Sequence, residues 1–150
     1  MATASTLNIR GRRPFELDVT DQTIETRAQI VQLEADGILR ARTKPNVDLN
    51  LEDARAIIPA ISTLCDGVRR PILVDLTGIK SMTREARVYF AGPETAAVES
   101  AAALLVASPI ARAVGNFFIG FNKALIPARL FTSEPAALEW LAQFLPSPEP

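Results

Sequence analysis

Strand-length apolar runs at residues 71–76, 101–107 and 128–132 are separated by segments whose apolar residues recur at helical spacing. A strand that is apolar at nearly every position must be covered on both faces, and strands joined by helical crossovers lie parallel in one sheet. That alternation restricts the chain to an α/β fold before any single residue is weighed. Residues 28–34 and 38–43 flank Asp36-Gly37, which reads as a hairpin whose two-residue turn uses positive φ angles. Asn50 is placed to cap a helix with Asp53 in its first turn. Leu51, Ala54, Ile57, Ile58, Ile61, Leu64 and Cys65 form its apolar face, Pro59 is expected to bend it, and Gly67 to stop it. A second helix is expected from about Thr83, with Ala86, Tyr89 and Phe90 turned inward and Gly92-Pro93 dividing it. Ser108-Pro109 starts a third that runs to about Asn122. Thr132 or Ser133 caps a fourth, with Ala137, Leu138, Leu141 and Leu145 apolar. The expected order is ββ-α-β-α-β-α-β-α: a mostly parallel central sheet, closed at one edge by the N-terminal hairpin and packed with helices. Residues 1–26 lack periodicity and are expected to be a flexible arm with a short extended piece near residues 15–19. Residues 27–145 are expected to form one domain, and the proline-rich residues 146–150 a disordered tail.

The chain has 150 residues, enough for one domain, and its 48% hydrophobic content is that of a globular protein, not a disordered one. Sixteen Lys and Arg against seventeen Asp and Glu give a net charge of −1, so the excess of cations that grips nucleic acid is missing. No apolar run is long enough to span a bilayer, and no signal-peptide pattern follows Arg10, Arg12 and Arg13. The single cysteine, Cys65, fits a reducing compartment, so the expected location is the cytoplasm. With no histidine at all, imidazole-dependent triads, zinc sites and imidazole bases are excluded. No GxGxxG or GxxxxGK[ST] phosphate loop is present either. We therefore expect a non-enzymatic protein without metal or cofactor.

The stretch Val74-Asp75-Leu76-Thr77-Gly78-Ile79-Lys80-Ser81-Met82-Thr83, in that element order, resembles the STAS domain of bacterial anti-sigma-factor antagonists. In that family a buried strand ends in Asp-Leu-Ser/Thr-Gly-Val and is followed by Met-Asp-Ser-Ser-Gly at a helix start. Leu104-Leu105-Val106-Ala107-Ser108-Pro109, Gly115-Asn116-Phe117-Phe118, Leu130-Phe131-Thr132 and Ala137-Leu138-Glu139-Trp140-Leu141 look more specifically like uncharacterised bacterial STAS/SEC14-like proteins. The resemblance covers residues 28–145 and implies a STAS-like α/β sandwich that regulates another protein by binding it. In the antagonists, the first serine of Met-Asp-Ser-Ser-Gly is phosphorylated by a partner kinase. Here Met82-Thr83-Arg84-Glu85-Ala86 puts Arg84 at that serine and Thr83 at the aspartate, so the usual phosphoacceptor is absent.

The resemblance directs attention to Thr77, Lys80, Ser81, Thr83, Arg84 and Arg87 as a partner-binding surface, with Phe118 and Phe121 from the third helix. Thr83 or Ser81 could take a phosphate near a helix N-terminus; against this stands the plainer reading of Thr83 as an N-cap. Asp75, at a strand end, is read as an acceptor for neighbouring loop amides in preference to a catalytic group, since no partner base is visible. Arg69-Arg70 and Arg40/Arg42 read as solvated basic pairs. Phe117, Phe118, Ile119 and Phe121 are too dense for one buried stripe and leave two readings open. One is cover for the following loop; the other is a patch for a partner, a homodimer or a lipid tail. The leading expectation is a protein partner of signalling type. The alternative is a small-molecule or lipid carrier using the apolar region 113–126.

Overall fold

The computed structural model describes residues 22–107 and 125–147, together with Pro109 and Ala113. In chain order its elements are β1 (Gln22–Glu25), β2 (Gln29–Leu33), β3 (Leu39–Thr43), β4 (Val47–Leu49), α1 (Leu51–Cys65), β5 (Arg70–Asp75), β6 (Ile79–Met82), α2 (Arg84–Phe90), α3 (Pro93–Ala96), β7 (Glu99–Leu105), β8 (Ala128–Phe131) and α4 (Glu134–Leu141), followed by a 3₁₀ turn at Ala142–Phe144. Six strands form one sheet in the order β1-β2-β3-β5-β7-β8, and β4 pairs with β6 in a separate two-stranded sheet. The β1–β2 and β2–β3 pairs are antiparallel; β3–β5, β5–β7 and β7–β8 are parallel. The expected hairpin at one edge of a mostly parallel sheet is therefore present.

Side chains on the central strands alternate between two apolar layers. Ile72, Ala102 and Leu104 face the layer that contains Ile57, Ile58 and Ile61 of α1. Leu73, Ala101, Ala103 and Leu105 face the opposite layer, closed by Ala137 and Leu141 of α4. Removing each large side chain of this kind from water stabilises the fold by about 1.5–3 kcal/mol, which is why these runs carry no polar alternation. α1 begins on a capping box: the Asn50 side chain accepts from the Asp53 amide, and the Asp53 carboxylate accepts from the Asn50 amide. It ends at Asp66, which adopts the left-handed region at φ 50°, and Gly67 follows at φ 86°.

Several local expectations are corrected. The hairpin turn is not a two-residue one: Glu34 N donates to Ile38 O, leaving the three residues 35–37 as the loop, and of these only Gly37 has positive φ. A turn followed by one left-handed glycine is the standard three-residue solution. Residues 22–25, assigned to the arm, are strand β1. β8 is only partly buried, and among the described strands it lies at the sheet edge beside β7. The basic pairs are not free solvated faces: Arg40 is buried and bonds the Asp36 carboxylate, and Arg69 donates to Ala96 O and Glu99 O. The third helix, residues 15–19 and the last three residues lie outside the described residues.

One irregularity bears on chemistry. Arg70 pairs with Glu99 but Pro71 pairs with Ala101, so Ser100 is an extra residue in β7. Such a bulge puts consecutive side chains on unexpected faces. Ser100 Oγ donates to Phe144 O on the α4 side, while Glu99 is turned toward the α1 side.

Candidate functional site

Strand β5 ends at Asp75, whose carboxylate is fully engaged. Its Oδ1 accepts from Thr77 N at 2.9 Å and from Thr77 Oγ1 at 2.6 Å. Its Oδ2 accepts from Arg42 Nη1 at 3.2 Å, and Arg42 continues to Glu134 at the start of α4 at 3.0 Å. Asp75 thus shapes the turn that leaves the sheet, as expected of an acceptor for loop donors. Arg42, read from sequence as a solvated cation, ties β3, β5 and α4 together.

Beyond this turn the chain is held tightly by its backbone. Gly78 passes so close to β3 that a Cβ there would sit 3.0 Å from Thr43 O and 3.2 Å from Lys44 O. Gly78 O accepts from Asn46 N at 2.7 Å, and Ile79 N closes a turn on Leu76 O. β6 then runs parallel to β4, an arrangement the sequence reading did not anticipate. Thr83 N donates to Leu49 O at 2.9 Å, and the Thr83 hydroxyl accepts from Ala86 N to cap α2. Arg87 Nη1 reaches back to Met82 O at 2.6 Å. Three short elements are thereby locked as one unit.

On this unit Thr77, Lys80, Ser81, Thr83 and Arg84 are exposed and Arg87 is half-buried. Five of the six expected contact residues on this segment therefore present side chains to solvent; Arg87 is partly spent on holding Met82. Ser81 Oγ is also engaged, donating to the Asp48 carboxylate on β4. Phe118 and Phe121 lie outside the described residues. Beside the segment, Leu51 at the start of α1 and Arg84, Glu85, Val88 and Tyr89 of α2 line a shallow open groove. Val88 is 45% exposed there, uncommon for a β-branched apolar side chain on a helix packed against a core. Leu51, Val88 and Tyr89 were not picked out as contact residues from sequence, because the groove arises where two helices meet and neither pattern contains it. Tyr89, expected inward, packs half-buried against the core and also borders the groove.

Among the described residues no cluster of three or more Cys, Asp or Glu side chains is arranged to hold a metal ion. Nor is any described helix long and apolar enough to cross a membrane. Cys65 is a buried free thiol whose pKa is pushed up to about 11 by burial, so it is a poor nucleophile.

Comparison with known proteins places the fold. Residues 31–145 match the family profile described as a domain of unknown function, DUF7793. An anti-sigma factor antagonist from Mycobacterium paratuberculosis superposes with a TM-score of 0.52 at 16% identity, covering 79% of this chain and 98% of the other. An uncharacterized DUF3478 protein with a SpoIIAA-like fold, from Shewanella loihica PV-4, gives a TM-score of 0.49 at 17% identity, covering 79% and 90%. A protein of unknown function from Arthrobacter sp. FB24 is 36% identical over 82% of this chain and 99% of that one, with a TM-score of 0.32. No curated protein matches the sequence. The architecture is STAS-like, as the resemblance of residues 74–83 implied.

Proposed function

Because the chain belongs to the DUF7793 family and carries a STAS-like fold, we propose that it is a regulatory protein-binding module with no chemistry of its own. The observation that carries this reading is the segment from Thr77 to Arg87, whose backbone is fixed by β4, by Asn46 and by its own turns while most of its side chains face water. A preorganised surface of that kind lowers the entropic cost of association. Arg84 and the apolar Val88 line the groove together with Glu85, and Lys80 is exposed on the same segment, which suits a partner presenting a carboxylate beside an apolar side chain. The neighbour from Mycobacterium paratuberculosis is, by its name, an antagonist of an anti-sigma factor, which supports a protein as partner. A cytoplasmic setting suits the unpaired Cys65.

Arg84 stands where the resemblance puts the usual phosphoacceptor serine, so this reading involves no phosphorylation at that position. Of the two remaining hydroxyls, Ser81 already bonds Asp48, and a phosphate there would face that carboxylate. Thr83 acts first as the α2 cap and is the better acceptor of the two. The carrier alternative rests on residues 113–126, nearly all outside the described ones, and no observation here favours it.

The test is retention of partners from a lysate by the immobilised full chain. Thr83→Glu and Arg84→Glu, each checked for native circular dichroism, are expected to lose the partners that the unaltered chain retains. Unchanged partners on both variants would show that this segment is not the contact surface.

A further inference from the structure

The bulge at Ser100 turns Glu99 into a cavity beneath α1. The cavity has a volume of about 50 Å³. At roughly 10–15 Å³ per water-sized group it has room for about three to five such groups, a molecule no larger than propionamide. Its walls are apolar, aliphatic at Ile57, Ile61 and Ile72 and aromatic at Phe90, and its polar members are Gln29, Thr95 and Glu99. Gln29 belongs to the far end. It pairs with Thr43, one residue beyond the Arg42–Asp75 pair, whereas Glu99 pairs with Arg70. At about 3.3 Å per residue, roughly 16 Å of strand separates those two levels. The Gln29 amide is held there, its Nε2 donating to Thr43 Oγ1 at 3.0 Å.

The near end is formed by Glu99 and by Thr95 four residues before it. Glu99 is only 5% exposed, and among the described residues its carboxyl has no hydrogen-bond or ion-pair partner. Burial raises its pKa to about 8, so at neutral pH it keeps its proton and offers one O–H donor and one carbonyl acceptor. Thr95 Oγ1 spends its own proton on Tyr89 O at 3.2 Å, so toward the cavity it offers lone pairs. The near end therefore carries one donor, two acceptors and no charge. Its complement is a neutral head with one acceptor and two donors on neighbouring atoms, which is a primary carboxamide. An alcohol brings one donor too few, a carboxylate brings none, and an ammonium leaves the Glu99 proton without an acceptor.

We propose that this cavity is a binding site for a small aliphatic primary carboxamide. Its carbonyl accepts from the Glu99 carboxyl O–H, its two N–H groups donate to the Glu99 carbonyl and to Thr95 Oγ1, and its hydrocarbon part lies along Ile57, Ile61 and Ile72. A β-bulge that inverts one side chain is a common device beside binding sites, and here it aims the carboxyl into an otherwise apolar end. The site lies inside the fold, and binding there needs no partner on the exposed segment.

Titration of the ¹⁵N-labelled full chain with propionamide at about pH 6, where Glu99 is protonated, tests this. Ethyl methyl ketone and sodium propionate are controls of the same shape, the first without N–H donors and the second charged. The expected result is saturable shifts of the Thr95, Glu99, Ala102 and Leu104 amides with propionamide, and binding of both controls weaker by about tenfold or more. Glu99→Gln keeps a donor and an acceptor and is expected to keep the preference for the amide over the ketone; Glu99→Met is expected to lose it. Equal binding of amide and ketone by the unaltered chain, shifts confined to surface amides, or a preference that survives in Glu99→Met would each overturn the assignment. So would the absence of saturable shifts, the result expected if water alone fills the cavity. The amide-against-ketone comparison needs no variant, so it decides even where a substitution disturbs folding.

Discussion

Arg27, in the turn between β1 and β2, clamps the Asp53 carboxylate in the first turn of α1, with Nε 2.8 Å from Oδ1 and Nη2 on Oδ2. The same carboxylate accepts from the Asn50 amide, so one buried side chain joins the antiparallel edge of the sheet to the helix that covers it. Arg27 holds the Asp53 pKa below the ordinary carboxylate range. Asp53→Ala is expected to cost roughly 2–3 kcal/mol, combining a lost capping box with a lost charge-assisted pair. Arg27→Ala removes only the exposed member and should cost less. Urea unfolding midpoints of the two variants check the ordering; a larger loss for Arg27→Ala would contradict it.

Gly78 and Gly67 separate two reasons for a glycine. At Gly78 a Cβ collides with backbone atoms of Thr43 and Lys44 that cannot step aside, so Gly78→Ala is expected to cost about 1–3 kcal/mol. At Gly67 nothing lies within 4 Å, but φ is 86°, and Gly67→Ala should cost about 1 kcal/mol from backbone strain alone. Because Gly78 lies in the exposed segment proposed to contact a partner, only its substitution should also disturb partner retention.

Thr83→Ala removes the oxygen that accepts the Ala86 amide and should destabilise the chain by about 1 kcal/mol, with Thr83→Ser restoring most of it. Thermal unfolding of the three proteins measures this. A Thr83→Ala variant as stable as the unaltered chain would remove the cap from the description of α2.

Glu99 sets a pH dependence whose sign is opposite to that of a paired carboxylate. Burial raises its pKa from 4.5 to about 8, so the folded chain holds a proton that the unfolded chain releases above the ordinary value. Stability should therefore fall as pH rises from about 4.5 to about 8, by at most about 1.4 kcal/mol per pH unit from this group, and level off above. Unfolding midpoints across that window check it, and Glu99→Gln should flatten the slope. A slope unchanged by that substitution would mean another group is responsible.

The parts of this fold that could be read from sequence are those where burial imposes a period. Residues 71–76 and 101–107 are covered on both faces, so nearly every position is apolar, and Asn50 with Asp53 marks the start of α1 with chemistry that has few other uses. β4 and β6 escaped notice because three and four residues hold barely one alternation, and Lys44-Pro45-Asn46 and Thr77-Gly78 beside them signal loop. β1 escaped for the same reason. The exposed segment was legible through Thr77-Gly78 and the Thr83 cap. The groove was not, because Leu51 and Val88 belong to different helices and meet only in three dimensions. The inversion of Glu99 was hidden as well: Ser100-Ala101-Ala102-Ala103 offers no side-chain contrast from which a bulge could be inferred.

The surface reading is tested most directly by covalent capture. A photo-crosslinking residue placed at Arg84 in the exposed segment from Thr77 to Arg87 is compared, in living cells, with the same residue at exposed Glu139 on α4. The expected result is a discrete protein adduct from position 84 and none from 139. Capture from 139 alone, or from neither position, would contradict a partner seated on the segment from Thr77 to Arg87.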